Sequence, residues 1–224
     1  MGFDALLSMN VSDLRFVAWD TETTGIDSEK DHIVEIAAVA FDEEFEQRRF
    51  ETLVRPPIPM PAFVQKIHGI SDEMLVDAPK ADEALSLFEG FLAAAGRPRV
   101  LVAHNAAFDL GMVGHEMKVH SSGEPADGPE IVLDSCMLAK ALLPELKTHK
   151  LSALAEHFKI ETATLHRAAA DVAALKEVFL KLLGLAADQI AGGKGLLLSD
   201  LVEFSGGFFI YAPWDSSMRK AGLG

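Results

Sequence analysis

Cysteine is nearly absent from this sequence. Cys136 is the only one among 224 residues, so the chain cannot form an internal disulfide bond, and a zinc site built from thiolates is disfavoured. A metal site in this chain would therefore have to use oxygen or imidazole ligands, which its 34 aspartates and glutamates and 8 histidines can supply.

Basic residues are also scarce. Twenty lysines and arginines stand against the 34 acidic residues, and the formal net charge is −14. A protein that coats nucleic acid relies on lysine and arginine to neutralise phosphates, so the charge argues against that class. It leaves open an enzyme that holds only a few nucleotides and lets bound cations neutralise the phosphate.

Long hydrophobic runs are missing as well. No apolar run reaches the roughly 20 residues that a membrane-spanning helix needs. The first ten residues, MGFDALLSMN, contain Asp4 and no basic region, unlike a signal peptide. These absences predict a cytoplasmic protein that does not bind membranes. The length suffices for one large domain with a full core.

The order of strand-like and helix-like segments predicts an α/β domain. Residues 16–19, 32–41 and 48–54 are expected to form an antiparallel meander of three strands. Helical patterns then alternate with two more strands, RVLVAHN and IVLD, and we predict IVLD as the last strand of a mixed five-stranded sheet flanked by helices. This domain is expected to cover residues 1–184. Residues 185–224 are predicted to be an extension packed on it, in which GGFFIYAPW is either a hairpin edge or an exposed apolar tail.

The first predicted strand ends in two carboxylates. In FVAWDTETTG, residues 16–25, Asp20 and Glu22 are two positions apart, so in a strand they point to the same face. Two like charges at the end of a buried element repel each other, and burial increases the cost. The pattern therefore predicts that something positive lies between them.

Two later segments supply further acids. HNAAFD places Asp109 on the first turn of a helix, and HRAAAD is predicted to place His166 and Asp171 on one helix, about 140° apart around its axis. Each acid alone is most simply a turn or solvated helix residue. Together, four carboxylates from three segments suit Mg²⁺ or Mn²⁺ and can hold two such ions for in-line phosphoryl displacement.

The three motifs resemble those of the DEDDh 3′–5′ exonucleases, in the order DTETTG, HNAAFD, HRAAAD. VAHNAAFDLGM, IHGIS and ALLPELKTHKLSALAEHFKI are especially similar to the proofreading exonucleases of bacterial DNA polymerase III, the epsilon subunit and the PolC-type exonuclease domain. The resemblance covers about residues 16–183. The related DEDDy class carries tyrosine four residues before the last aspartate. That class is excluded, because Arg167 occupies this position and Tyr211 is the only tyrosine.

The resemblance implies a ribonuclease-H-like fold with two Mg²⁺ or Mn²⁺ ions per site. It implies that Asp20 is shared by both ions, with Glu22 and Asp171 on the side of the nucleophile. Asp109 would serve the leaving-group side, partly through water. His166 would be the general base toward the attacking water, a role that suits a side chain titrating near neutral pH.

Six further residues in the motifs and in IHGIS are expected to contact the substrate: Thr23, Thr24, His68, His104, Asn105 and Phe108. By resemblance, His68 lies beside the 3′-terminal nucleotide. Phe108 is predicted to be half core and half a surface on which a base stacks, and His104 and Asn105 are expected to orient the site or touch the substrate. For His68 the simpler interpretation is an ordinary turn residue.

The resulting hypothesis is a metal-dependent 3′–5′ exonuclease on single-stranded DNA 3′ ends that releases nucleoside 5′-monophosphates, in replication proofreading or repair. Proofreading would require a DNA polymerase subunit as partner. One alternative is a 3′–5′ exoribonuclease similar to ribonuclease T or oligoribonuclease. A further alternative is a non-catalytic binding module of the same fold.

Overall fold

A seven-stranded sheet organises the fold of this computed structural model, which describes residues 2–42, 46–120, 129–162, 166–192, 194–212 and 220–221. The strand order is β3-β2-β1-β4-β5-β6-β7. Strands β1 to β3 form an antiparallel meander, β4 and β5 run parallel to β1, and β6 and β7 are again antiparallel. The strands are β1 (Arg15–Thr23), β2 (Ile33–Phe41), β3 (Glu46–Leu53), β4 (Arg99–Ala103), β5 (Glu130–Asp134), β6 (Phe208–Tyr211) and β7 (Lys220–Ala221).

Helices cover both faces of the sheet. They are α1 (Phe3–Leu7), α2 (Ala62–His68), α3 (Asp72–Leu75), α4 (Ala81–Ala95), α5 (Ala106–His120), α6 (Ser135–Leu142), α7 (Leu151–His157), α8 (Ala168–Ala186) and α9 (Leu198–Ser205). A 3-10 turn precedes β1 and a π-helical segment follows α8. Within the described ranges, no helix has both the length and the apolar character needed to cross a bilayer.

Alternation along β1 points its side chains into two different hydrophobic cores. Phe16 and Ala18 face a core that includes α8, where the rings of Phe16 and Phe179 lie 5.1 Å apart. Val17 and Trp19 face a second core that includes α4 and α5, where the rings of Trp19 and Phe88 lie 5.7 Å apart. The same alternation continues beyond Trp19, so it decides which acidic residues at the strand end meet which helix.

The predicted mixed sheet is present, but the prediction of five strands is wrong. IVLD is not the last strand, because Ile131 and Val132 of β5 pair with Ile210 and Phe209 of β6. The FFIY part of GGFFIYAPW is thus a strand, whereas residues 213–219 lie outside the described ranges. A four-residue strand carries little local signal, and its partner lies almost 80 residues earlier. Helix α8 runs through Gly184 to Ala186, and a domain boundary at residue 184 stays a prediction.

Candidate metal centre

Strand β1 delivers two of the acids to the face covered by α8. Asp20 and Glu22 continue the alternation of Phe16 and Ala18, so their side chains leave the strand on that face. The partner strand is β2, in which Ala37 lies opposite Asp20 and Glu35 lies opposite Glu22. The apolar sequence before Asp20 therefore anchors the strand in the core and brings the carboxylates to its end.

Helix α8 brings the third acid to the same place. Asp171 lies in its first turn, and carboxylate oxygens of Asp20, Glu22 and Asp171 all lie within 4.8 Å of one another. All three residues are partly buried. Three acids that sequence reasoning assigned to a metal site are thus brought together as one group.

The carboxylates of Asp20, Glu22 and Asp171 are desolvated by burial and repel neighbouring negative charges. Burial, followed by the charges of Asp109 and Asp171, raises the pKa of Asp20 well above its usual range. Burial and the neighbouring Asp171 raise the pKa of Glu22 to about 8, although Arg167 opposes this shift. Burial also raises the pKa of Asp171. A bound divalent cation would relieve this repulsion, and a set of carboxylate oxygens without sulfur suits Mg²⁺ or Mn²⁺.

Asp109 is adjacent to the group but belongs to the opposite face of the strand. It lies in the first turn of α5, as predicted, and is 2% exposed. Its Oδ1 accepts hydrogen bonds from the backbone N–H (3.1 Å) and the hydroxyl (2.7 Å) of Thr21. Burial raises the pKa of Asp109 to about 7, against the lowering effect of these bonds. Asp109 is thus held by Thr21, the residue next to Asp20, and its charge contributes to the raised pKa of Asp20.

His166 does not lie on the helix, and the prediction that it shares one with Asp171 is wrong. Helix α8 begins at Ala168, Arg167 has an extended backbone (φ −132°, ψ 129°), and His166 has a left-handed φ of 76°. Its backbone N–H donates to Oδ2 of Asp171 at 3.2 Å, and the residue is exposed. The helix stops short of His166 because the chain turns sharply at residues 166–167.

Sequence reasoning missed Glu35, and it noted Arg167 only to exclude a subclass. Glu35 is completely buried in β2, beside Glu22. It accepts hydrogen bonds from Nε of Arg167 (3.1 and 3.2 Å) and from the Ala168 N–H (2.8 Å), and Nη2 of Arg167 is in closer contact still. A signal was available, because a glutamate inside the apolar run HIVEIAAVAF is rarely buried without a partner.

Thr23 and Thr24 use their hydroxyl groups inside the turn that follows β1. The Thr23 hydroxyl donates to the Gly25 carbonyl at 2.6 Å. The Thr24 hydroxyl donates to Oδ1 of Asp31 at 3.0 Å and accepts from the His32 N–H at 2.9 Å. Both threonines are buried. Their hydroxyls shape the loop beside the acids, and a contact with substrate stays a prediction.

His68 is buried next to the end of β1. It ends α2, is 4% exposed, and its Nδ1 accepts a hydrogen bond from the Ile70 N–H at 3.0 Å. Burial lowers the pKa of His68, while the nearby Thr23 backbone opposes this shift. Its Nε2 has no hydrogen-bond partner among the described residues. The segment IHGIS thus lies near Thr23 and Glu35, and its place beside the 3′-terminal nucleotide stays a prediction.

The remaining predicted contacts surround the start of α5. Asn105 is exposed, has a left-handed φ of 69°, and donates its N–H to Asp134. Nδ1 of His104 lies 2.9 Å from the hydroxyl oxygen of Ser135, and burial lowers the pKa of His104. Phe108 is half-buried against the core that contains Trp19. The structure places these residues near Asp109, and their contact with substrate stays a prediction.

Comparison with known protein families gives one match over most of the chain. A family model described as an exonuclease, RNase_T, matches residues 17–179. The chain is 39% identical over 168 residues to a PolC-type DNA polymerase III of Caldanaerobacter subterraneus subsp. tengcongensis, covering 75% of the chain and 11% of that protein. It is 38% identical over 176 residues to the DNA polymerase III subunit epsilon of Treponema pallidum, covering 78% of the chain and 79% of that protein.

Solved structures show the same architecture. Exonuclease X in complex with 5′-overhanging duplex DNA aligns with a TM-score of 0.63 and 22% identity, over 85% of this chain and 99% of that chain. A 3′-exonuclease that recognises the histone mRNA stem-loop aligns with a TM-score of 0.66 and 14% identity, over 76% of this chain and 81% of that chain. These likenesses confirm the predicted α/β class and its ribonuclease-H-like fold.

Proposed function

The chain belongs to the RNase_T exonuclease family, and from this premise we propose that it is a metal-dependent 3′–5′ exonuclease. Its substrate would be a single-stranded DNA 3′ end, from which it would release nucleoside 5′-monophosphates. The observation that carries the proposal is the group formed by Asp20, Glu22 and Asp171, whose oxygens lie within 4.8 Å of one another in a member of this family.

The acids would act as the metal ligands. Two Mg²⁺ or Mn²⁺ ions per site would be held by Asp20, Glu22 and Asp171. Asp109, which is hydrogen-bonded to Thr21, would be a further ligand on the leaving-group side. When bound, such ions supply positive charge opposite the phosphate and make water more acidic. The protein itself contributes the placement of these oxygens, because two come from a strand anchored in the core and one from a helix packed on it.

His166 would act as the general base. Its backbone is held by the hydrogen bond to Asp171, while the residue as a whole is exposed at the edge of the acidic group. A ring nitrogen that faces the substrate side would accept the proton of the attacking water. An imidazole is suited to this step because such side chains ordinarily titrate near neutral pH.

DNA is the preferred substrate class because the relatives named above are a PolC-type DNA polymerase III and a DNA polymerase III subunit epsilon. The chain spans 11% of the PolC-type relative, so replication proofreading or repair, a polymerase subunit as partner and a cytoplasmic location are proposals. The net charge of −14 fits an enzyme that grips a short 3′ end rather than one that binds along nucleic acid.

The decisive experiment digests matched single-stranded DNA and RNA oligonucleotides with Mg²⁺ or Mn²⁺. With a label at the 5′ end, 3′–5′ digestion gives a ladder of shortened products, and a 3′ label is released at once as mononucleotide. A 3′-phosphate should block the reaction, whereas a 5′-phosphate should have little effect. An Asp20→Ala protein, which should be inactive, controls for contaminating nucleases.

Two results would contradict this proposal. Cleavage of circular single-stranded DNA at a similar rate would show an endonuclease. No digestion of any end with either metal, by a folded protein, would favour a binding module. Faster digestion of the RNA strand would instead support the exoribonuclease alternative, since the 2′-OH is the group that distinguishes the two.

A further inference from the structure

We propose that Glu35 and Arg167 form a positioning pair that sets the start of α8 and thereby the places of Asp171 and His166. The inference rests on the proposed metal centre, because it concerns how one ligand and the base are held. Neither residue belongs to the acids or the histidine assigned above.

The Glu35 carboxylate is hydrogen-bonded by one short segment of the chain. Its side chain is completely buried in β2, where an ionised carboxylate is costly unless it is hydrogen-bonded or paired. In the described part of the chain, its side-chain hydrogen bonds come from Arg167 and Ala168 only. The strand and the start of α8 are therefore tied together at this point.

The bond from Ala168 caps the helix. Ala168 is the first residue of α8, and its N–H is one of the donors that a helix leaves unpaired at its N-terminus. The side chain of Arg167 at the N-cap position makes no capping bond. The carboxylate of Glu35, which belongs to β2, takes that role instead. A negative charge at this end also suits the helix dipole.

Three consecutive residues are thus each bonded to a carboxylate of this region. The backbone N–H of His166 donates to Asp171, the guanidinium of Arg167 binds Glu35, and the N–H of Ala168 binds Glu35. Glu35 lies directly opposite Glu22 in the β1–β2 ladder. The β1–β2 pair, which carries two of the proposed ligands, is therefore also bonded to the start of α8, which carries the third.

Charge and position predict opposite effects of removing Arg167. Its guanidinium lowers the affinity of the site for cations if only its charge matters, because a positive group near Glu22 repels them. Loss of Arg167 would then strengthen metal binding. If Arg167 holds the start of α8 instead, its loss should misplace Asp171 and weaken metal binding.

The test is Mn²⁺ binding to the metal-free protein, followed by electron paramagnetic resonance of free Mn²⁺. Substitution of a residue that hydrogen-bonds a metal ligand typically costs about 10–100-fold in affinity. Arg167 acts on Asp171 through Glu35 and the start of α8, so we expect a loss at the lower end of that range, about 10-fold, for Arg167→Ala. Arg167→Lys, which keeps the charge but cannot reach both oxygens of Glu35 in the same way, should fall between this variant and wild type. Lys181→Ala, an exposed change on the same helix, should bind as wild type does.

Turnover gives an independent readout. In Arg167→Ala, kcat on a DNA oligonucleotide should fall while KM changes little, because the substrate contacts proposed at Asn105 and Phe108 remain. Melting in the presence of EDTA checks the fold. Should Arg167→Ala fail to fold, Arg167→Lys decides, and wild-type affinity in that variant would overturn the proposal.

The outcomes separate the two proposals. Mn²⁺ affinity of Arg167→Ala equal to or tighter than that of wild type, with normal kcat, would overturn the positioning role alone. Absence of Mn²⁺ binding to the wild-type protein, or undiminished binding in Asp171→Asn, would instead refute the metal centre on which the proposed function depends.

Discussion

At the scale of single residues, the raised pKa values of the acids make the metal-free protein sensitive to pH. The pKa of Glu22 is about 8 and that of Asp109 about 7 in the folded protein, whereas carboxyl groups of an unfolded chain titrate near pH 4. Between these values the folded state binds more protons than the unfolded state. Its stability therefore falls as pH rises from about 4 to about 8.

We accordingly predict that the melting temperature of the protein in EDTA decreases from pH 5 to pH 8. Saturating Mn²⁺ should reverse much of this loss, and the increase it causes should be larger at pH 8 than at pH 5, because a ligand that binds the native state stabilises it. Scanning calorimetry at four pH values checks both slopes.

Asp20→Asn serves as the control for this pH effect. It removes one of the repelling charges at nearly constant volume, so the metal-free variant should melt higher than wild type at pH 8 and show a weaker response to Mn²⁺. Parallel pH profiles for the two proteins would show that other groups cause the slope.

The second prediction at this scale concerns His166. His166→Ala should reduce turnover by about 10²–10⁴-fold, the usual contribution of a positioned proton acceptor, because the ring is lost while the backbone bond to Asp171 can persist. Affinity for Mn²⁺ should change little. The residual rate should rise with pH, since hydroxide can then replace the base, whereas the wild-type rate should approach a plateau.

Single-turnover cleavage of a short DNA strand at saturating metal measures these rates. His157→Ala, an exposed histidine on α7, provides the matched control and should retain the wild-type rate. Equal rates for His166→Ala and wild type near neutral pH would assign the base to another residue, with His104 the next to test.

At the scale of an element, the turn after β1 is tightly filled. A Cβ atom on Gly25 would overlap the carboxylate of Asp31, whose Cγ would lie only 2.5 Å away, and that carboxylate also binds the Thr24 hydroxyl and the Asp27 N–H. Gly25→Ala should therefore destabilise the protein by about 1–3 kcal/mol, as overpacking does. It should also lower activity, because the same turn follows Glu22.

Gly90→Ala is the opposite control for that substitution. Gly90 lies inside α4, and a Cβ atom there would meet no atom within 4 Å outside the backbone of its own helix. Alanine should therefore stabilise the protein by up to about 1 kcal/mol through its helix propensity. Urea denaturation of both variants measures these changes in the free energy of unfolding. A Gly25→Ala protein as stable as Gly90→Ala would mean that the turn can open without cost.

At the scale of the whole molecule, β6 ties the C-terminal part of the chain to the core behind the site. Tyr211 is 1% exposed, its ring lies edge-on to Trp19 at 5.9 Å, and its hydroxyl donates to Oε1 of Glu89 at 2.5 Å. Trp19 directly precedes Asp20. Packing of β6 therefore supports the strand that carries the acids.

Tyr211→Ala should thus destabilise the protein by about 3–5 kcal/mol, the usual cost of deleting a buried aromatic ring. Tyr211→Phe, which loses only the hydrogen bond, should cost about 0.5–1.5 kcal/mol. Chemical denaturation measures both values, and activity well below the melting temperature should survive in Tyr211→Phe. Unchanged stability of Tyr211→Ala would show that residues after α9 contribute little to the fold.

Sequence alone predicted the acids of the candidate site and most elements, because these depend on local patterns. A period of two places Asp20 and Glu22 on one face, and an apolar strand before them implies burial. The helix that follows β4 puts Asp109 in its first turn. The meander and the alternation of strands and helices were likewise predictable, since hydrophobic periodicity reports local structure.

Tertiary structure decided the contacts between residues that lie far apart in the sequence. Glu35 and Arg167 lie 132 residues apart, and only the packing of α8 on β2 brings them together. The same packing bonds His166 to Asp171 from a turn rather than from the helix. Pairing of β6 with β5 made the sheet larger than predicted. Local propensity contains no information about such long-range contacts, because the free energy that favours them arises only when the two surfaces are packed together.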